Sequence, residues 1–230
     1  MVAGETEKQV STDGKSAIFA RIRSAIGADP AQTAERAALR DQDWAKIPRE
    51  YRRKGTLSAP ERVTLLQSIL KHYGATSYLT VPDKVSSTIS EVLQQRQKQR
   101  LVIPREFPAE WIPQGIEAVS DSGLSNEELD KIDGVLTGCT VAIASTGTIV
   151  LVSGRDGRRA VSLVPDYKLC VVRQEQIVEF IAEALQLLQP FQMLPLTFFS
   201  GPSATVDIEM TRVQGVHGPR TLDVVITVAP

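Results

Sequence analysis

Metal-ligating side chains are scarce in this 230-residue sequence, which contains only two cysteines and two histidines. An iron–sulfur cluster normally takes four cysteine ligands, and a structural zinc takes about four cysteine or histidine ligands. The chain therefore cannot form a redox cluster on its own. Cys139 and Cys170 each lie in an apolar, strand-like run, which favours two reduced, buried thiols over a disulfide. No Gly-x-Gly-x-x-Gly turn follows a predicted strand, so we expect no cofactor.

Long apolar runs and an excess of one charge are also absent. The longest runs, such as Val141–Ala144 and Ile149–Val152, are far shorter than the roughly 18 residues that span a bilayer. A net charge of −1 gives no chain-wide attraction to nucleic acid or anionic lipid. The first residues are polar where a secretory signal would be apolar. We expect a cytoplasmic protein that binds neither nucleic acid nor a membrane.

The sequence is hydrophobic in 42% of its residues and charged in 23%, which is typical of a globular protein. Apolar residues recur at helical spacing over Lys15–Ile26, so we predict a short N-terminal helix there. Asp41–Gly55 has a basic cluster without a clear period, which predicts an exposed connector facing solvent or a partner. We expect residues 1–57 to form an N-terminal helical extension and connector, and residues 58–230 to form one α/β domain.

Helical and strand patterns alternate after residue 57. Two capping boxes, Ser58 with Glu61 and Ser125 with Glu128, mark helix starts. Further helices are predicted over Asp83–Arg100 and Gln176–Leu188. Strands are predicted over Ser77–Val81, Leu101–Ile103, Ile116–Val119, Thr140–Ala144, Thr148–Val152, Leu169–Val172, Leu196–Phe199 and Asp223–Val228. This alternation predicts an α/β fold with a largely parallel sheet, flanked by helices, and with binding loops at strand ends.

The first candidate binding segment, Ser145–Thr148, joins two apolar strands. Gly147 lets the backbone turn tightly or approach a ligand. The hydroxyls of Thr146 and Thr148, with nearby amides, could hold carboxylate or phosphate oxygens. Hairpin turns often contain the same residue types for conformational reasons alone, so a purely structural turn is the alternative.

The second candidate segment is a small polar loop with Gly201 and Ser203, directly after an apolar strand. A helix is expected to begin near Ser203, and free amides at a helix start attract anions. Asp207 and Glu209 follow closely and are candidate catalytic carboxylates, or they orient basic side chains. Ordinary N-capping by Ser203 is the alternative.

The third candidate segment, Gly215–Arg220, precedes the last predicted strand. His217 is flanked by Gly215 and Gly218, so its imidazole is expected to be accessible to a ligand. Its protonation can then change near neutral pH. Arg220 could bind a carboxylate or phosphate with two hydrogen bonds. Alternatively, His217 only bonds a carbonyl and Arg220 pairs with one of the acidic residues of the second segment.

Taken together, Ser145–Thr148, Ser200–Glu209 and Gly215–Arg220 resemble the signature of the lactate utilisation protein C family, also called the LUD domain. The resemblance is clearest from about Ile116 to Val228. It implies a fold like that of sugar-phosphate isomerases and CoA transferases. It also implies one site built from all three segments, with catalytic candidates His217, Asp207 and Glu209 and ligand-binding candidates Thr146, Gly147, Thr148, Gly201, Ser203, Gly218 and Arg220.

Members of this family are associated with oxidation of L-lactate to pyruvate beside two partner proteins, one of which carries iron–sulfur clusters. This chemistry needs a base for the hydroxyl proton, a cation for the carboxylate and an electron acceptor. His217 and Arg220 could supply the first two, while the chain shows no acceptor. The resemblance therefore implies a non-redox subunit or accessory protein that binds a small carboxylate or phosphorylated ligand.

Two other functions stay open. The chain could be a free-standing enzyme acting on a phosphosugar, a CoA ester or a related anion. It could also be a scaffold with a decayed site, because the family pattern has a glutamate and a basic residue where this chain has Ser145 and Ala204. Both differences remove charge from the expected pocket.

Overall fold

The computed structural model describes residues 12–27, 30–48, 50–205, 213–215 and 217–229. The chain divides into two compact units, Met1–Tyr51 and Arg52–Pro230. The first unit contains α1 (Thr12–Ala25) and α2 (Pro30–Lys46), and α1 agrees with the predicted N-terminal helix. The first six residues of the predicted exposed connector, Asp41–Lys46, are exposed and are helical, since they complete α2. This stretch lacks an apolar period, but it contains the strong helix formers glutamine, alanine and lysine.

The second unit alternates helices and strands, as predicted. In chain order it contains α3 (Ala59–His72), β1 (Thr76–Thr80), α4 (Val85–Arg96), β2 (Arg100–Ile103), β3 (Glu117–Ser120), α5 (Asn126–Asp130), β4 (Gly134–Thr137), β5 (Val141–Ile143), β6 (Thr148–Val152), α6 (Arg159–Leu163), β7 (Tyr167–Arg173), β8 (Ile177–Val178), α7 (Ile181–Leu188), β9 (Leu196–Phe199), β10 (Ala204–Thr205), β11 (Val213–Gln214) and β12 (Thr221–Thr227).

Six of these strands form a parallel sheet in the order β1-β12-β7-β4-β2-β3. The helix α4 covers one face of this sheet, where its Ile89 and Leu93 pack with Leu169 and Val225. The predicted α/β class with a largely parallel sheet is therefore confirmed. The sequence reading had not assigned β4, a buried strand of only four residues.

A second sheet of four strands, in the order β8-β5-β6-β9, covers the other face together with α3. Strands β5 and β6 form the antiparallel hairpin that the apolar runs predicted. Side chains of β7 alternate between the two faces. Cys170 and Val172 contact the second sheet, so Lys168, in the same alternation, also faces it. Both cysteines are buried and unbridged, in agreement with the sequence reading.

The two capping boxes are present as predicted. The amide and hydroxyl of Ser58 both donate to the Glu61 carboxylate, at 2.7 and 2.6 Å, and α3 begins at the next residue. The amide of Ser125 donates to Glu128 at 2.7 Å, and α5 follows. Helix α4, in contrast, ends four residues before the predicted Arg100, because Gln97 adopts a left-handed backbone with φ 54°.

The predicted helix over Gln176–Leu188 is helical only from Ile181. Its first part forms β8, where the β-branched pair Ile177 and Val178 extends the second sheet beside β5. The buried Glu179 carboxylate then accepts hydrogen bonds from the amides of Thr56 and Leu57, at 2.6 and 2.8 Å. These distant partners hold the segment extended, and they outweigh its helical periodicity.

The helix expected to begin near Ser203 is also absent from the described residues. Ala204–Thr205 instead form β10, which pairs antiparallel with β11. Ser203 therefore lies at the base of a short hairpin rather than at a helix start. Across the described part of the chain, no helix combines the length and apolarity needed to cross a membrane.

Candidate functional site

The second and third candidate segments meet at one cavity of about 340 Å³. One wall is the loop Ser200–Ala204, which follows β9, and another is His217–Pro219, which leads into β12. Helix α6 and Lys168 close the remaining sides. Because β7 and β12 both start here, the cavity lies at the amino ends of two central strands of the parallel sheet. We call it the loop cavity.

Ser203 fastens the two loops to each other. Its amide donates to the Pro219 carbonyl at 2.8 Å, and its carbonyl accepts from the Gly215 amide at 2.9 Å. Its hydroxyl accepts from the His217 amide at 3.0 Å. Ser203 thus holds the backbone of His217 against the cavity, a role that depends on tertiary contacts rather than on helix capping.

The first candidate segment reaches this cavity only through hydroxyl contacts. The hydroxyls of Thr146 and Thr148 lie 2.7 Å apart, and Thr148 lies 2.7 Å from the hydroxyl of Ser200. Gly147 has φ +62°, and a Cβ atom there would come within 2.6 Å of the Ile69 side chain on α3. Close packing of the turn on α3 explains why a glycine is needed at position 147. A ligand contact from Thr146, Gly147 or Thr148 stays a prediction.

Gly201 gives the loop a conformation that a larger residue would disturb. Its φ is +91°, and a Cβ atom would lie 2.6 Å from the Cβ of Tyr73. We expect Gly201→Ala to lower the free energy of unfolding by about 2 kcal/mol, since backbone strain of this kind costs about 1–3 kcal/mol. Urea denaturation measures the change.

The control for this variant is Gly138→Ala, at a glycine where an added Cβ atom would meet no atom within 4 Å. We expect this substitution to leave the denaturation midpoint nearly unchanged. Equal midpoints for the two variants would contradict the strained loop.

The basic candidates of the third segment lie in different places. His217 is exposed and lines the loop cavity together with Gly218. Arg220 is not among the lining residues, and its Nε lies 3.3 Å from the Asp166 carboxylate in an exposed ion pair. Such surface pairs contribute little to stability. Asp207 and Glu209 lie outside the described residues, so their predicted roles stay predictions.

Lys168 lines the loop cavity and was not among the residues predicted from the sequence. It lies on β7 and is only 3% exposed. Its ammonium lies 3.7 Å from the centroid of the Phe199 ring. Within the described residues no hydrogen bond or ion pair reaches this ammonium. Burial disfavours the charged form and lowers the pKa of Lys168 to about 8.

A second cavity of about 250 Å³ lies at the carboxyl ends of β2, β4 and β7, where ligands often bind in open α/β sheets. Two of its four charged groups, Asp156 and Arg173, already have polar partners. Asp156 accepts from Thr140 at 2.5 Å and from the Val152 amide at 2.8 Å, and Arg173 lies 2.6 Å from Glu175. The loop cavity holds a buried lysine that no hydrogen bond or ion pair reaches within the described ranges, and it is therefore the better candidate for an anion.

Comparisons with known proteins agree with the fold. The family described as LUD domain matches residues 45–227. The lactate utilization protein C of Deinococcus radiodurans is 41% identical over 174 residues, which cover 74% of this chain and 81% of that protein. The Bacillus subtilis protein of the same name is 25% identical over 77% of this chain and 82% of its own length.

A solved structure is similar as well. The crystal structure of a DUF162 family protein from Deinococcus radiodurans superposes with a TM-score of 0.65 at 34% identity. The superposition covers 75% of this chain and all of that one.

Proposed function

The chain belongs to the LUD domain family, and from this membership we propose that it acts in lactate utilisation, as a non-redox subunit or accessory protein of a system that oxidises L-lactate to pyruvate. The names of its relatives support a role in lactate utilisation. The cysteine content supports the non-redox role, because two cysteines cannot bind an iron–sulfur cluster without other ligands. Partner proteins with iron–sulfur clusters would accept the electrons.

The observation that carries the ligand part of this proposal is the buried Lys168 of the loop cavity, whose ammonium has no hydrogen bond or ion pair with any residue that the structure describes. An isolated buried charge is costly, and a bound anion would offset that cost. The cavity, at about 340 Å³, is at the small end of the range for ligand pockets. The proposed ligand is a small carboxylate or a phosphorylated anion.

The other groups of the cavity have complementary roles in this proposal. The hydroxyl of Ser200 and the backbone of Gly201 and Gly218 can donate to anion oxygens at the cavity wall. His217 can accept a proton from a ligand hydroxyl. Lys168 supplies the positive charge that the sequence reading assigned to Arg220.

A thermal-unfolding scan of the full chain with L-lactate tests the ligand. Ligand at about 100 times its dissociation constant adds about 2.7 kcal/mol, which should raise the midpoint by roughly 5–10 °C for a domain of this size. We expect His217→Ala, in the cavity wall, to reduce this increase. His72→Ala, at the exposed end of α3, should keep it.

Two results would contradict the proposal. If L-lactate, pyruvate and phosphate all leave the midpoint unchanged, the loop cavity is not a site for small anions. If deletion of the gene leaves growth on L-lactate normal, the role in lactate utilisation is wrong. A shift that persists fully in His217→Ala would place the ligand elsewhere on the chain.

A further inference from the structure

The environment of Lys168 suits a nucleophilic amine as well as a binding cation. The ammonium lies against the Phe199 ring, and Lys168 is one of the residues that line the loop cavity. Lysines buried in this way lose their proton readily, and several classes of enzymes use them to attack carbonyl carbons. A lysine that served only the core would not need an opening to a polar cavity.

Among the residues that the structure describes, no charged or titratable group contacts the ammonium of Lys168. The Asp156 carboxylate and the thiolate forms of Cys170 and Cys139 act on Lys168 through space, and each favours its charged form. The Asp156 carboxylate is already bonded to Thr140 and to the Val152 amide. Desolvation outweighs these three groups, so a large fraction of Lys168 is the neutral amine at mildly alkaline pH.

We propose that Lys168 forms an imine with the carbonyl carbon of a small 2-oxo acid bound in the loop cavity. The neutral amine attacks the carbonyl, a carbon–nitrogen bond forms, and the carbonyl electron pair moves to oxygen. Proton transfer gives a carbinolamine, and loss of one water breaks the carbon–oxygen bond to give the imine. His217 faces the same cavity and can deliver the proton that the departing hydroxyl takes. No oxidant or reductant is needed.

The charge of the site favours a 2-oxo acid over a simple aldehyde. A protonated imine carries the same positive charge as the ammonium, in a place where the described residues offer no contacting counterion. A carboxylate next to the carbonyl supplies that counterion within the ligand itself. The substrate class rests on the proposed function, in which pyruvate is the product, whereas the reactivity of Lys168 rests on its own surroundings.

Reductive trapping tests the imine. The full chain is incubated with pyruvate and sodium cyanoborohydride near pH 8, and the product is examined by intact mass and by peptide mapping. We expect one reduced pyruvate unit for each chain, located on Lys168. L-lactate, which has no carbonyl to attack, should give no adduct under the same conditions.

Two variants serve as controls. Lys168→Met keeps the length and apolar character of the side chain and should abolish the adduct. Lys131→Met, at the exposed end of α5, should leave it unchanged. Mapping of the unsubstituted chain decides the question even if Lys168→Met folds poorly.

Modification spread over surface lysines, or no modification of Lys168, would overturn the imine. The scan with L-lactate separates this outcome from failure of the proposed function. If L-lactate raises the unfolding midpoint but no adduct forms, the anion site is supported and the imine proposal is wrong. If the adduct forms but L-lactate does not raise the unfolding midpoint, Lys168 is reactive and L-lactate is not the ligand.

Discussion

Replacing Lys168 with methionine should make the folded chain more stable at neutral pH by about 3 kcal/mol. The pKa of Lys168 falls from 10.5 to about 8 on folding, and each unit of difference corresponds to about 1.4 kcal/mol of folding free energy. Methionine fills the same volume with no charge to desolvate. A residue kept at this cost in stability is expected to serve function.

The pH dependence follows from the sign of the shift. Between about pH 8 and pH 10.5 the unfolded chain holds a proton on Lys168 that the folded chain has released. The free energy of unfolding therefore gains a positive slope with pH over this window, and Lys168→Met should lose that contribution. Tyr78 and Tyr167 have raised pKa values through burial and act in the opposite direction. They are the same in both proteins, so their effect cancels in the difference.

Urea denaturation of both proteins at pH 7 and pH 10 measures this difference. We expect the gap between them to be large at pH 7 and small at pH 10. Lys131→Met, at an exposed position, should change neither value. If Lys168→Met is less stable at pH 7, then the ammonium gains more from its surroundings than it loses by desolvation, and the account of the site is wrong.

Local signals predicted the parts of the fold that depend on neighbours in sequence. The capping boxes fixed the starts of α3 and α5, and the apolar runs around Gly147 predicted the β5–β6 hairpin. Alternating helices and strands were enough to predict the parallel sheet. The capping boxes and the hairpin turn are each decided by residues only a few positions apart in sequence.

Tertiary contacts decided the elements that the sequence reading placed wrongly. Ile177 and Val178 fit a helical period, but pairing with β5 and the bonds from Thr56 and Leu57 to Glu179 hold this segment extended. Ser203 looks like a helix cap, but it bonds to the loop before β12. Neither partner is close in sequence, so no local pattern could have indicated them.

The motifs include four residues that line one cavity, His217, Gly201, Ser203 and Gly218. Arg220 does not line it and pairs with a surface carboxylate, and the binding roles of all five stay predictions. Lys168 was overlooked inside the apolar run of β7. A lysine at an inward-facing position of a buried strand is itself a signal, because lysine is rarely buried. Only the pairing of β7 in the parallel sheet, with its side chains alternating between the two faces, shows that Lys168 faces the second sheet.

Replacing Asp223 with asparagine should lower the free energy of unfolding by about 3 kcal/mol, near the lower end of the range for breaking a buried ion pair. Asp223 is fully buried on β12. Both of its oxygens accept from Arg96, each at 2.7 Å, and one also accepts from the Tyr167 hydroxyl at 2.9 Å. Arg96 keeps partial access to water, which limits the loss. Urea denaturation measures it.

Glu117→Gln is the matched control, because Glu117 forms an exposed pair with Arg100 at 2.8 Å, and such pairs contribute about 1 kcal/mol or less. Equal losses for the two variants would show that the buried pair adds nothing beyond a surface contact. Arg96→Ala adds a sharper test, since it leaves the Asp223 carboxylate buried with one hydroxyl donor. If the pair acts as a unit, the double variant should lose no more than the worse single variant. Asp223 lies two residues after the start of β12, the strand that follows the His217 loop.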